Sequence, residues 1–199
     1  GGMILSCTGG PGQFSIKNSY NKEHWINSCA HETLKKFTKN KYIEYPFEPN
    51  GSDERQFSSP GFRINTPSIH KSKYYEYDEY HTSADNLNFI SDKSIIDSLK
   101  VHIKWIQSIE SLEVPIRRNN YCEYNLGKRK LYPQIGGSMN QSAFKENFTK
   151  DMYDSFDWIM HLADGSNTNT DIAKKSGINL RIINQAISLF KDKKLIEDL

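Results

Sequence analysis

Between residues 3 and 47 the apolar pattern changes period twice, and that alternation restricts the architectures open to the chain. Met3-Ile4-Leu5-Ser6-Cys7-Thr8 is a short apolar run closed by Gly9-Gly10-Pro11-Gly12, which reads as a buried strand and then a loop. From Asn21 to Lys39, Trp25, Ile26, Cys29, Thr33, Leu34 and Phe37 recur at three- and four-residue spacing, with Lys22, Glu23, Lys35, Lys36 and Lys39 opposite them. That spacing predicts an amphipathic helix, and it leaves His24 and His31 on a solvated helix face. Lys41 to Phe47 follows with the aromatic and β-branched residues of a second strand. Strand, helix, strand over this length is a crossover unit, so the fold expected is α/β with a partly parallel sheet. A buried strand at the very start, with no charged lead-in, suggests a chain cut from a longer one.

The stretch from Asn50 to Asn88 is different in kind. It opens with Gly51-Ser52-Asp53-Glu54-Arg55-Gln56, passes through Pro60-Gly61 and the tyrosine-rich Tyr74-Tyr75-Glu76-Tyr77, and closes with Tyr80-His81-Thr82-Ser83-Ala84-Asp85. Gly51 and Pro60-Gly61 are turn formers, so these polar residues are expected on loops, where α/β enzymes present their sites. Ser91 is then a good N-cap with Asp92 in the first turn, and Ile95, Ile96, Leu99, Ile103, Ile106 and Ile109 predict a long amphipathic helix ending before Val114-Pro115. On that helix His102 is expected half-buried or exposed, and Trp105 is expected to pack.

Residues 116–150 read as an irregular connector with basic clusters at Arg117-Arg118 and Gly127-Lys128-Arg129-Lys130 and a turn at Gly136-Gly137-Ser138. The clusters are expected to be solvated turns, with phosphate or carboxylate binding as the alternative. Residues 151–199 read as a separate winged-helix-like unit: a helix through Tyr153, Phe156 and Ile159, a short helix ending at Gly177, a third capped by Asn179, and an entry to a wing at Lys193-Lys194. Its six basic and eight acidic residues leave few cations for phosphates, so protein contact or packing is expected rather than nucleic-acid binding. The domain plan is therefore 1–115, 116–150 and 151–199.

A formal charge of +2 and a hydrophobic content of 36% argue for a folded chain with neither nucleic acid nor an anionic membrane as main partner. No apolar run approaches the roughly 20 residues of a membrane span, and the first residues do not read as a secretory leader. Cys7, Cys29 and Cys122 are an odd set without metal or disulfide spacing, which fits reduced thiols and a cytoplasmic location.

Gly51-Ser52-Asp53, paired with Tyr80-His81-Thr82-Ser83-Ala84-Asp85 and followed by an apolar helix, resembles the C-terminal half of the co-catalytic zinc aminopeptidases. More narrowly, Gly-Ser-Asp-Glu-Arg-Gln with Ser-Pro-Gly, then Glu-Tyr-His-Thr-Ser-Ala-Asp-Asn-Leu, is similar to a bacterial aminopeptidase-like family that ends in a winged helix. The resemblance implies a three-layer αβα fragment and a peptide or aminoacyl-amide substrate. It makes His81 a zinc ligand oriented by Asp85 or Tyr80, and it puts Asp53, Glu54, Arg55 and Tyr80 at the substrate pocket. It also implies that the remaining ligands and the general base come from a missing N-terminal half of the same protein. A homo-oligomer is compatible with it. Where the superfamily usually carries an aspartate, this chain has Leu5-Ser6-Cys7-Thr8. The fragment alone is expected to be inactive, and the alternative is a catalytically inactive peptidase fold acting as a binding or regulatory module.

Overall fold

The computed structural model describes residues 1–132 and 148–199, which form two compact units, Gly1–Ser111 and Leu112–Leu199. The expected turn at Gly136-Gly137-Ser138 and Pro133 lie outside the described residues.

The first unit is built on a four-stranded mixed sheet in the order β1-β4-β2-β3, with β1 Ile4–Leu5, β2 Ser15–Lys17, β3 Ile43–Tyr45 and β4 Ser68–His70. β1 pairs parallel with β4, β2 pairs parallel with β3, and β2 runs against β4 with Ser15 opposite His70 and Lys17 opposite Ser68. The sheet is therefore partly parallel, as the crossover pattern predicts. The crossover differs in its first strand: β2, not β1, is joined to β3 through helix α1 (Trp25–Thr38). Ser-Ile-Lys carries one apolar residue, too short a signal to stand out, yet all three residues are buried.

α1 buries Trp25, Ile26, Cys29, Ala30 and Leu34, and its basic last turn, Lys35 and Lys36, suits the helix dipole. The two histidines are not on a solvated face. His24 is the buried N-cap, its Nδ1 accepting from the Ile26 N–H at 3.3 Å. The half-buried His31 ring bridges the Tyr42 hydroxyl at 2.9 Å and Asn18 Oδ1 at 2.8 Å.

Helix α3, Asp92–Glu110, starts at Ser91, whose hydroxyl accepts from the Ser94 N–H. It packs against α1, but with a face other than the isoleucine stripe. Ser94, Ser98, Val101, His102 and Trp105 are buried, while Ile95, Ile96, Leu99, Ile103 and Ile106 are each more than two-fifths exposed. His102 is buried too, its Nδ1–H donating to the Ser98 carbonyl at 2.7 Å. Small serines let this side of the helix approach its neighbours, and Ser98 also donates to the Thr8 carbonyl at 2.7 Å.

The second unit is a winged helix. Helices α4 (Lys150–Leu162), α5 (Asn169–Ser176) and α6 (Leu180–Asp192) enclose a core around Phe156, Ile159, Ile172, Ile183 and Phe190. Thr168 and Asp171 form a capping box at the start of α5, and Gly177, at φ 71°, closes it in the left-handed conformation. The strand after α6, β6 (Ile196–Asp198), pairs antiparallel with β5 (Pro115–Arg117). Residues read as connector thus belong to this unit: Ile116 and Arg117 are in its sheet, and Leu126 and Leu131 are in its core.

Which face of α3 is buried can be tested by stability. Trp105→Ala is expected to cost about 3–5 kcal/mol in urea unfolding. Leu99→Ala on the exposed stripe is expected to stay within about 0.5 kcal/mol of wild type. The opposite ranking would return the core to the isoleucine face.

Candidate functional site

The residues after β3 and β4 converge on one buried charge cluster. Lys17, the last residue of β2, is fully buried, and its Nζ donates to Glu54 Oε1 at 3.1 Å, to the Tyr74 hydroxyl at 2.9 Å and to the Asn50 carbonyl. Tyr74 OH in turn donates to the same Glu54 oxygen at 2.6 Å. Burial pushes the Glu54 carboxyl up, but hydrogen bonds from Tyr74, its own backbone and Lys17 more than reverse this and hold it below its ordinary value. Burial and the adjacent carboxylate push the Tyr74 phenol well up, so it stays a donor.

Gly51 makes the cluster possible. It sits at φ 129°, and a Cβ there would collide with Glu54 Oε1, Tyr74 OH and Lys17 Nζ. The turn former of the sequence is therefore also the only residue type that lets the loop backbone approach the ion cluster. Helix α2 (Glu54–Phe57) begins immediately after Asp53.

From Tyr74 the contacts run outward as aromatic rings. Its ring lies 6.3 Å from that of Tyr80 and 5.5 Å from that of Tyr75, and Tyr80 stacks on the His81 imidazole at 4.0 Å with a 16° interplanar angle. Tyr77 stacks on Phe89 at 5.1 Å and its hydroxyl lies 3.5 Å from Cys7 Sγ. Cys7, Tyr75 and His81 hold left-handed backbones at φ 51°, 64° and 58°. Each costs on the order of 1–2 kcal/mol, and such strain gathers where surrounding structure fixes a functional geometry. Because β2 opposes β4, the cluster is not built on a single carboxyl edge of the sheet: Lys17 leaves β2, while Cys7 and Tyr74 follow β1 and β4.

The residues singled out by sequence divide accordingly. His81 is exposed and Tyr80 half-buried, and the two are brought together by stacking. Asp85 is exposed and, among the described residues, neither it nor Tyr80 hydrogen-bonds to the His81 ring. Asp53 and Arg55 are exposed; Asp53 makes no capping bond to α2. Glu54 is only 1% exposed and committed to Lys17 and Tyr74, so in this arrangement it does not meet a substrate. Lys17 and the wholly buried His70 were not picked out by sequence, and Tyr74 and Cys7 were named there without a role in the site. Alternation through Ser15-Ile16-Lys17 and Ser68-Ile69-His70 is the faint signal that both polar rows share one sheet face.

A groove of about 410 Å³ lies alongside, lined among others by Tyr45, Lys73, Glu76, Tyr77, Glu79 and Phe89. The Lys73 ammonium sits over the Tyr45 and Tyr74 rings at 4.7 and 5.0 Å, with Glu76 at 3.6 Å. As for metal, no group of three or more His, Cys, Asp or Glu side chains able to hold an ion occurs among the described residues. A catalytic zinc needs about three protein ligands, so the described residues do not fit one by themselves.

Comparison with known proteins follows this division into units. Residues 1–112 match the model of the domain of unknown function DUF4910, more than half of the chain. The chain belongs to the DUF4910 family. Residues 114–198 match a winged helix-turn-helix. A Clostridium acetobutylicum protein, provisionally named for polysaccharide biosynthesis with an aminopeptidase-like domain, is 35% identical over 185 residues, covering 93% of this chain and 40% of that protein. A crystal structure from Clostridium acetobutylicum, provisionally assigned as a peptidase, matches with a TM-score of 0.53 and 30% identity over 99% of this chain and 41% of that one. The chain spans about two-fifths of the length of these relatives. No described helix is long and apolar enough to cross a membrane.

The buried imidazoles make stability pH-dependent. Burial holds the His70 ring down at about 4, with both ring nitrogens unpartnered among the described residues, and lowers His102 and His31 in the same direction. In the unfolded chain such rings titrate near 6.5. Stability is therefore complete above about pH 6.5 and falls toward pH 4, as the unfolded state takes up protons that the native state refuses. His70 alone accounts for about 3 kcal/mol, and Glu54, held down, adds a further loss below its unfolded value. Urea midpoints at pH 7 and 4.5 that coincide would contradict this.

Proposed function

We propose that this chain is the substrate-loop portion of an aminopeptidase-like hydrolase domain acting on a peptide or aminoacyl amide, carried next to a winged helix. The observation that supports it most is the convergence of the Gly51 and His81 loops on the Lys17–Glu54–Tyr74 cluster through Tyr74 and Tyr80. Such a cluster fixes two otherwise irregular loops against the sheet, as a site assembled from loops requires. The names of the relatives support the peptidase class.

The groove fits the substrate class by charge. Lys73 can pair with a carboxylate or carbonyl oxygen, Glu76 and Glu79 can pair with an amino group, and the aromatic rings can cover the apolar part between. Arg55, exposed on α2 and without an ion pair among the described residues, is a second candidate cation for the rim. For the metal we propose that His81 is one donor of a zinc site whose other ligands lie in polypeptide beyond these 199 residues. The general base is assigned there too, and no catalytic step is assigned to the present residues.

The alternative is a catalytically inactive peptidase fold that serves as a binding or regulatory module. The winged helix would then carry the function. The unit from Leu112 to Leu199 holds thirteen basic and eleven acidic residues, yet Arg118 pairs with Glu197 and Lys191 with Asp198. The exposed start of α6 offers Arg181, Asn184 and Gln185. That is thin support for phosphate neutralisation, and we read this unit as a protein-contacting one.

The test is metal content. A chimera in which residues 1–199 replace the matched span of the Clostridium acetobutylicum relative is expected to purify with zinc. His81→Ala should lower its zinc affinity at least tenfold while circular dichroism is unchanged. Zinc binding indifferent to His81→Ala would remove the residue from the site, and a chimera that purifies without zinc would favour the binding module.

A further inference from the structure

The exposed face of α3 has the spacing of a packed face. Ile96, Leu99, Ile103 and Ile106 recur at intervals of three, four and three residues, the seam that one helix offers to another. Their exposures run from 45% to 58%, and Ile95 widens the stripe. A row of large aliphatic side chains on one helix is not the scattered apolar exposure of an ordinary surface. In a two-layer packing this stripe would be the natural core side of α3. Instead, serines, Val101, His102 and Trp105 take that role.

A second open element lies next to it. β1 is an end strand of the sheet, paired with β4 along one edge only, and its Leu5 side chain is 59% exposed. The end of β1 and the start of α3 are in contact: Ser98 Oγ donates to the Thr8 carbonyl, the Ser91 N–H to the Gly9 carbonyl, and Ile95 packs by Gly9. An unpaired parallel edge and an adjoining aliphatic helix face together form the open border of an α/β layer. Parallel sheets normally have both faces covered by their helical crossovers, and an open edge strand is a template for further pairing.

We propose that this border is an interface, and that its occupant is the rest of an aminopeptidase-like domain: a strand continuing the sheet along β1 and a helix laid into the isoleucine seam of α3. Length favours that occupant. Both Clostridium relatives are matched over nearly all of this chain but only 40% and 41% of their own, so each holds more than half its polypeptide outside the matched span. A second copy of this chain would also cover apolar surface, and the experiment below separates it from the rest of the domain. This inference rests on the aminopeptidase-like reading for its occupant, though not on any metal.

The experiment is co-expression of tagged residues 1–199 with the unspanned portion of the Clostridium acetobutylicum relative, purified in EDTA. The expected result is a one-to-one complex by sedimentation, with slowed hydrogen exchange at β1 and α3 and weaker binding of a hydrophobic dye than by the isolated chain. Leu99→Lys with Ile103→Lys should weaken the complex at least a hundredfold while leaving the melting temperature of isolated 1–199 unchanged. No complex, or one indifferent to these substitutions, overturns the proposal. A defined homodimer of 1–199 that the same substitutions abolish also overturns it, by assigning the face to a second copy. Because EDTA is present, a complex without zinc binding in the chimera would sink the metal reading and leave this one standing.

Discussion

A buried lysine is costly unless its charge is answered, and in this chain the answer holds the candidate site in place. Lys17 has no exposure, and three oxygens from three segments surround it: the Asn50 carbonyl before the Gly51 turn, the Glu54 carboxylate at the start of α2, and the Tyr74 hydroxyl after β4. Removing one partner of such a group leaves an uncompensated charge, so the loops are bound to the sheet and to one another. Glu54 Oε2 is buried without a partner, and Gly51 is pressed against the cluster. The left-handed backbones at Tyr75 and His81 are tolerated next to that rigid centre, and the His81 ring is oriented from it through Tyr74 and Tyr80.

Much of the frame could be read from the sequence because it depends on local chemistry. The Ser91 cap, the Gly177 stop and the Asn179 start are decided by residues within a few positions, and each appears where its residue type demands. A partly parallel sheet was legible too, although the strand that crosses over to β3 is β2 and not β1. What escaped was non-local. β2 and β4 are three residues each, with a single isoleucine apiece, and only their mutual pairing makes them strands. His24 was placed with solvated residues because helical spacing says nothing about caps supplied by imidazole. The stripe of α3 is legible as the apolar face of a helix, but the sequence does not show what covers it.

For the site, residue type was a better guide than role. The two loops suggested by Gly51-Ser52-Asp53 and Tyr80-His81 do meet, but Glu54 serves the interior, and the charges that line the neighbouring groove are Lys73, Glu76 and Glu79. The connection passes through Lys17, a residue hidden in a strand too short to notice. The winged helix was legible in its helices and misjudged in its extent, because β5 is recruited from the far side of the connector to pair with β6.

Lys17 and Glu54 act as one unit, and a double-mutant cycle on residues 1–199 tests that directly. Lys17→Met and Glu54→Gln would be measured singly and together by urea denaturation at pH 7. Each single change should cost roughly 3–5 kcal/mol, because it strands a buried group, and the double should cost well below their sum. Two single costs under about 1 kcal/mol, or costs that simply add, would mean that the loops are held by something else.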